Sequence, residues 1–518
     1  MQIIDNKVLV LRTRDPGRIT TTIKKSSEIS TEDDVTEVAV FWGLKEAQAL
    51  RRLGVKNVPS PIIRDYNWPG MFKPMAHQKE TASFLTLNTR AFCFNEQGTG
   101  KTASAIWAAD YLLTQGAVKR VLVVCPLSIM QAAWQADLFK FAVHRTVDVA
   151  YGDRKKRKAI INGLADFVII NFDGVKIVED EIINGGFDLI IIDEANAYKN
   201  SRTDRFKVMR KIVSHDKWLW MMTGTPAAQS PLDAYGLAKL CIPARAPTLY
   251  STYRDMVMYQ LTRFKWIPKP NAVAAVHELL QPAIRFEKKD CLDLPEVTHT
   301  SRFAPLSAQQ LKYYKQLKKE MLIEAAGEEV SAVNAAANLN KLLQIACGAV
   351  YTDTKNVIEF DVSDRLNAVT EVINEASHKV LVFVPFTHAL EMLKEYMTKQ
   401  GISAEIINGN VSVTKRTDIF KRFQEDAEPR VLLIQPQAAA HGVTLTAADT
   451  IIWYAPTTST ETYLQANARI NRPGQRNPMT IVHIEGSPVE RKLYFMLQNN
   501  ITNHEKVIDL YKKELDES

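Results

Sequence analysis

Two short stretches in this chain of 518 residues carry side chains that act on phosphate. Residues 92–95 (FCFN) run into Glu96-Gln97-Gly98-Thr99-Gly100, after which Lys101 and Thr102 open the helical pattern ASAIWAADYLL. A strand, a glycine-containing loop and a helix begun by Lys-Thr make a phosphate cradle. Backbone N–H groups around Gly98, Thr99 and Gly100 face the anion, the Lys101 ammonium reaches the β- and γ-phosphates, and the Thr102 hydroxyl ligates Mg²⁺. Asn95 stands where the usual spacing has its first glycine, so a chance glycine turn is the alternative. The second stretch, Asp193-Glu194-Ala195-Asn196, follows the apolar run 189–192. Its carboxylates therefore emerge at a strand's C-terminal edge, where open α/β sheets bind ligands. Asp193 is the expected metal residue and Glu194 the expected base for an attacking water; alone, the pair would read as a helix N-cap.

A third candidate lies far downstream, in QANARINRPGQR at 465–476. Arg469 and Arg472, three apart, are expected on one face of a helix ended by Pro473-Gly474. Planar guanidinium groups suit the spread charge of a transferring phosphoryl group. A solvated basic helix end is the other reading. The densest basic run, Arg154-Lys155-Lys156-Arg157-Lys158, reads as a contact to a nucleic-acid backbone or as a solvated helix start. Trp42, Trp68, Trp107 and Trp134 lack interleaved basic residues and read as packing rather than base stacking.

The elements that must position these residues are legible as apolar runs. Residues 92–94, 121–125, 167–170, 189–192 and 218–222 lack alternation and are separated by helix-length amphipathic stretches, as a parallel sheet covered on both faces requires. A second series, 380–384, 404–407, 431–434, 450–453 and 480–484, predicts a second α/β lobe. Residues 308–326 and 331–346 between them have helical periodicity. The first 70 residues are short and mixed, with Pro59, Pro61 and Pro69 as punctuation.

Composition sets the outer bounds. Apolar residues make up 46% and charged residues 24%, the mix of a folded protein with sizeable cores rather than a disordered or fibrous one. The net charge of +7 suits a polyanionic partner and equally a solubility charge. Five scattered cysteines without a CxxC pair argue against disulfides and zinc. With neither a signal-peptide pattern nor a run long enough to span a membrane, a cytoplasmic, reducing location is expected.

Taken in order, MAHQ (75–78), EQGTGKT (96–102), VLVVCPLSIMQAAW (121–134), DEANAYKN (193–200), TGTP (223–226), HGVTLTAAD (441–449) and QANARINRPGQR (465–476) resemble the motif series of Swi/Snf-type DNA translocases of helicase superfamily two. PAIRFEKKDCLDLP (282–295) is similar to the stretch closing the first lobe in that family. The resemblance implies an α/β fold of two tandem RecA-like, doubly wound parallel-sheet lobes. It divides the chain into a small N-terminal accessory region (1–70), an ATP-binding lobe (71–300), a helical connector (301–362) and a second lobe (363–518).

The resemblance also implies ATP with Mg²⁺, DNA gripped mostly through its phosphate backbone, and a monomer with no membrane partner. Gln78 resembles the adenine-reading glutamine, and Thr223 and Thr225 the link from hydrolysis to lobe movement. Gly442 and Thr444 resemble the motif that meets DNA and the second-lobe side of the nucleotide, while Arg469 and Arg472 complete the site from the second lobe. The implied activity is ATP-dependent tracking on double-stranded DNA. Residues 43–66 resemble the short recognition region before annealing-helicase motors, which ranks forks and branched junctions first among substrates. An RNA-polymerase recycling motor and a non-catalytic DNA-binding platform are the alternatives; the latter predicts loss of Lys101, Asp193, Glu194, Arg469 or Arg472, and all five are present. Three positions depart from the family: Asn95 replaces an acid, Asn196 the usual residue after DEA, and Ala439-Ala440 a glycine pair.

Overall fold

The computed structural model describes residues 1–213, 216–224, 226–227, 230–262, 266–291, 295–327, 332–351, 357–439 and 443–499. The chain divides into two compact units. The first comprises Met1–Ala227 and Pro231–Cys291, and the second takes up the chain from Leu292.

In the first unit seven strands pair in the order Ala283–Ile284, Arg90–Cys93, Trp218–Met222, Leu189–Asp193, Val121–Cys125, Phe167–Asn171, Val147–Val149, all in parallel. The strands 121–125, 167–171, 189–193 and 218–222 are buried along their whole length. That burial is why the sequence shows unbroken apolar runs there. The pleat sends Leu189, Ile191, Trp220 and Met222 into one core and Ile190, Ile192, Leu219 and Met221 into the other. Each such side chain contributes roughly 1.5–3 kcal/mol of apolar burial. Register then decides what the sheet presents: Met222 pairs with both Cys93 and Asp193, so the three strands end flush.

Residues 1–70 form a four-stranded antiparallel sheet in the order Gln2–Ile4, Val8–Thr13, Val35–Phe41, Ser26–Glu32, followed by the helix Leu44–Arg52. Leu9, Leu11, Val38 and Val40 join the same core as Ala82 and Leu85. The prolines that punctuate this region offer carbonyls to tryptophans: the indole N–H of Trp42 donates to Pro59 O at 2.9 Å, and that of Trp107 to Pro69 O at 2.9 Å. Both rings are buried, as a packing role requires.

The second unit has a six-stranded sheet, Val297–Phe303, Met479–Glu485, Ala448–Trp453, Lys379–Phe383, Val431–Ile434, Ala404–Ile407, again parallel throughout. Five of these are the apolar runs of the second series. The sixth, Val297–Phe303, begins inside the 71–300 range expected for the first lobe yet pairs with Met479–Glu485. It is an edge strand whose residues stay largely exposed, so it lacks the apolar signature that marks its neighbours. Helices Ala308–Gly327 and Ala332–Cys347 follow it.

Candidate nucleotide site

The flush strand ends bring three segments side by side at one edge of the first sheet. Arg90–Cys93 feeds the glycine loop, Leu189–Asp193 delivers the carboxylates, and Trp218–Met222 lies between them and ends in Thr223-Gly224. Thr225, the other threonine of that turn, lies outside the described residues. Gly98 and Gly100 take φ of +88° and +80°, in the left-handed region that favours glycine. A methyl group on Gly100 would also collide with the Gln78 amide. Gly100 then caps the helix Lys101–Thr114, whose first N–H groups have no intrahelical acceptor and point into the loop. Thr99 is buried and donates its hydroxyl to Glu96 O at 2.8 Å. The Lys101 ammonium donates to Asn95 O at 2.9 Å and Glu96 O at 3.3 Å, which holds it over the loop.

Gln78, in the first turn of the helix Ala76–Leu87, braces this loop. Its Oε1 accepts the Met75 N–H at 2.9 Å and its Nε2 donates to Thr99 O at 3.3 Å. The His77 ring nitrogen Nε2 meets the same carbonyl at 2.8 Å. Asn95, in place of the family's acid, is a neutral cross-bridge. Its Nδ2 donates to Thr81 Oγ1 at 2.8 Å, while its Oδ1 accepts the Phe286 N–H at 3.0 Å. Thr81 has already given its one hydrogen to His77 O at 2.8 Å, so position 95 must supply a donor. An amide does so; a carboxylate does not.

Asp193 is buried. Its Oδ2 accepts the Trp134 indole N–H at 2.9 Å and its Oδ1 the Glu194 N–H at 3.0 Å. Burial pushes its carboxyl above the usual carboxylate range, opposed by the Lys101 charge and the Trp134 bond. Trp134 sits on a π-helical turn, Met130–Gln135, a geometry frequent at functional sites. The sequence suggests packing for Trp134 although it ends the motif at 121–134; its bond to Asp193 spans 59 residues and is visible only in the fold. Glu194 is half-buried with φ +54° and ψ +54°, a conformation rare outside glycine, and its Oε1 accepts from Gln97 Nε2 at 3.3 Å. The donor set suits Mg²⁺: the Thr102 hydroxyl and Asp193 carboxylate are hard oxygen ligands, and a cation offsets the cost of burying that carboxylate.

The arginines belong to the second unit, and there one expectation is corrected. The helix Thr460–Asn467 stops before Arg469, and both arginines lie in the turns beyond it rather than on a helical face ended by Pro473. Past Asn467 the Arg469 N–H turns to Ala466 O at 3.1 Å, three residues back, while the Gln465 carbonyl it would use in a helix takes the Arg469 side chain instead. Arg469 is buried and donates to Gln465 O and Val443 O at 2.9 and 3.2 Å. Arg472, half-buried, donates to Ala468 O and to Thr444 Oγ1 at 2.9 and 3.1 Å. The two second-lobe motifs are thus one hydrogen-bonded cluster. Gly442 and Ala440 lie outside the described residues. The basic run at 154–158 divides: Arg157 is buried and donates to Gly152 O, Ala150 O and Asn171 Oδ1, and Lys158 pairs with Glu181. Only Arg154, Lys155 and Lys156 of that run are exposed.

The SNF2-related domain matches residues 77–348 and the helicase conserved C-terminal domain residues 364–474. Chromodomain-helicase-DNA-binding protein 1-like of Mus musculus is 26% identical over 421 residues, 77% of this chain and 46% of its own. An ATP-dependent helicase of Mycoplasma genitalium is 25% identical over 75% of this chain and 37% of its own. The chain thus spans less than half the length of these two relatives. Among solved structures, the Sulfolobus solfataricus SWI2/SNF2 ATPase core in complex with dsDNA is 20% identical, with a TM-score of 0.42, over 83% of this chain and 92% of that one. With the SNF2-related domain alone covering slightly more than half of its residues, the chain belongs to the SNF2-related family of ATPase/helicase cores.

Proposed function

We propose that the chain is an ATP-driven motor that tracks on double-stranded DNA as a monomer and remodels forks or branched junctions. The observation that carries this reading is the flush register that sets the glycine loop and Asp193-Glu194 on either side of Thr223-Gly224. Lys101, held over the loop, meets the β- and γ-phosphates of ATP. Thr102 and Asp193 hold Mg²⁺, which when bound neutralises charge developing on the phosphate oxygens. Glu194 takes the proton of the attacking water, and Gln78 reads the adenine from the loop it braces. Arg469 and Arg472 supply positive charge from the second unit, and Gly442 and Thr444 belong to the same grip. Family membership and the DNA-binding relatives support DNA as the polymer on which the motor acts. Such a grip on phosphates is largely independent of base sequence.

The test is ATP turnover with single strands, duplex, fork and four-way junction, run beside triplex displacement and strand separation. Duplex-stimulated turnover with triplex displacement and no unwinding is expected, and the Lys101→Ala protein, still folded, is expected to be inactive in every arm. Unwinding of a tailed duplex would identify an ordinary helicase instead, and turnover by Lys101→Ala would exclude the glycine loop as the phosphate site.

A further inference from the structure

We propose that Gln97 is a positioning residue for hydrolysis, holding the Glu194 carboxylate toward the glycine loop. The inference rests on the reading of Glu194 as the base. Gln97 sits in the loop itself, two residues past Asn95, and its amide Nε2 donates to Glu194 Oε1 at 3.3 Å across 97 residues of sequence. Glu194 has reason to need a second support. Its backbone is held at φ +54°, so the side chain leaves the strand end in a direction the ordinary extended conformation would not give. A general base works only when its oxygen is held within hydrogen-bond reach of the water it deprotonates.

A second observation places Gln97 by design. Gly224, at the end of the intervening strand, lies against it: a methyl group there would come within 3.2 Å of Gln97 Cγ and 3.4 Å of its backbone nitrogen. Glycine at 224 therefore leaves room for the Gln97 stem to cross from the loop to Glu194. The Thr223 N–H, one residue earlier, is anchored on Cys93 O at 3.1 Å, which fixes the glycine relative to the loop. Three segments thus meet on one side chain: the glycine loop contributes it, Thr223-Gly224 supports its stem, and Glu194 receives its amide. A shift of the 223–224 turn would move Gln97 and, through it, the carboxylate. A neutral donor suits the task, because it orients the carboxylate without the full counter-charge that would weaken it as a base.

The test compares Gln97→Met, which keeps the length of the side chain and loses the donor, with Gln97→Glu, which keeps its shape and opposes Glu194 with a like charge. Glu194→Gln serves as the reference, and nucleotide affinity is measured by calorimetry under non-turnover conditions. For Gln97→Met, kcat should fall by roughly tenfold, the value of one hydrogen bond to a charged group. Nucleotide affinity and KM for ATP should stay within about twofold, since Gln97 acts on the base and not on the phosphates. Gln97→Glu should fall further than Gln97→Met, and Gly224→Ala should lower kcat in the same sense. If Gln97→Glu does not fold, Gln97→Met decides alone. Wild-type kcat in Gln97→Met beside an inactive Glu194→Gln would overturn the positioning role and leave the base in place. A loss of affinity equal to the loss of kcat would overturn it too, by showing a general loop defect. An active Glu194→Gln would instead remove the reading of Glu194 on which the inference rests.

Discussion

Trp134 and Asp193 show how far a residue's chemistry depends on a neighbour it never meets in sequence. The indole N–H is one of two donors on the Asp193 carboxyl, whose burial already disfavours its charged form. Trp134→Phe keeps an aromatic ring in the core and removes that donor. The carboxyl should then be harder still to ionise, which weakens it as a ligand for the metal–nucleotide complex. A loss on the order of tenfold in kcat/KM is expected, entering mainly through KM. Steady-state kinetics over a range of Mg²⁺ concentrations would check it; values within twofold of wild type would reduce Trp134 to a space-filling ring. Lys101, Thr102, Asp193 and Glu194 were legible because each motif is contiguous with the strand or helix that presents it. Trp134 and Gln97 fall within quoted motifs, but their bonds to Asp193 and Glu194 were not legible, since a hydrogen bond across 59 or 97 residues exists only once the sheet order is known.

At the scale of elements, Asn95 ties the helix Ala76–Leu87, the glycine loop and the segment after Ala283–Ile284 into one assembly. Glu96 adds to it, its N–H donating to Phe286 O at 2.9 Å and its carboxylate accepting the Lys288 N–H at 3.0 Å. Asn95→Asp would place a buried carboxylate oxygen against the lone pairs of Thr81 Oγ1. To answer it, Thr81 must withdraw its hydrogen from His77 O, so one bond is lost whichever way the hydroxyl turns. A destabilisation of about 1–3 kcal/mol is expected, read as a lower denaturant midpoint for the first unit. An unchanged midpoint would mean that the bridge at position 95 works equally well with an acid. The sequence marked this position only as a departure from a family pattern. Its consequence needed the partner's own hydrogen bond, which no spacing rule reveals. Elements buried on both faces were readable as apolar runs, whereas Val297–Phe303, exposed along an edge, was not. The helix stops at Asn467 rather than at Pro473 because the Arg469 guanidinium occupies the Gln465 carbonyl that its own N–H would need.

At the scale of whole units, two α/β series in the sequence became two parallel sheets, because strands buried on both faces must be apolar throughout. One polar residue inside the second sheet has a consequence for the whole of that unit. His483 is completely buried on Met479–Glu485, with Tyr463 Oη at 2.8 Å from Nε2 and the Gln498 amide at 3.1 Å from Nδ1. Burial, reinforced by the nearby His299, pushes its pKa down from 6.5 to about 3. Well above pH 6.5 the ring is neutral in both folded and unfolded chains, and the second unit bears no cost. As the pH falls below 6.5 the unfolded chain takes up a proton that the folded unit refuses until about pH 3, so stability is lost through that window. At pH 5 the loss from this ring is about 2 kcal/mol. Denaturant unfolding of the second unit at pH 7.5 and pH 5.0 should therefore show a larger drop for the wild type than for His483→Gln, which has no proton to bind. Equal drops in the two proteins would mean that the ring is protonated while folded, and that the acid response of this unit arises elsewhere.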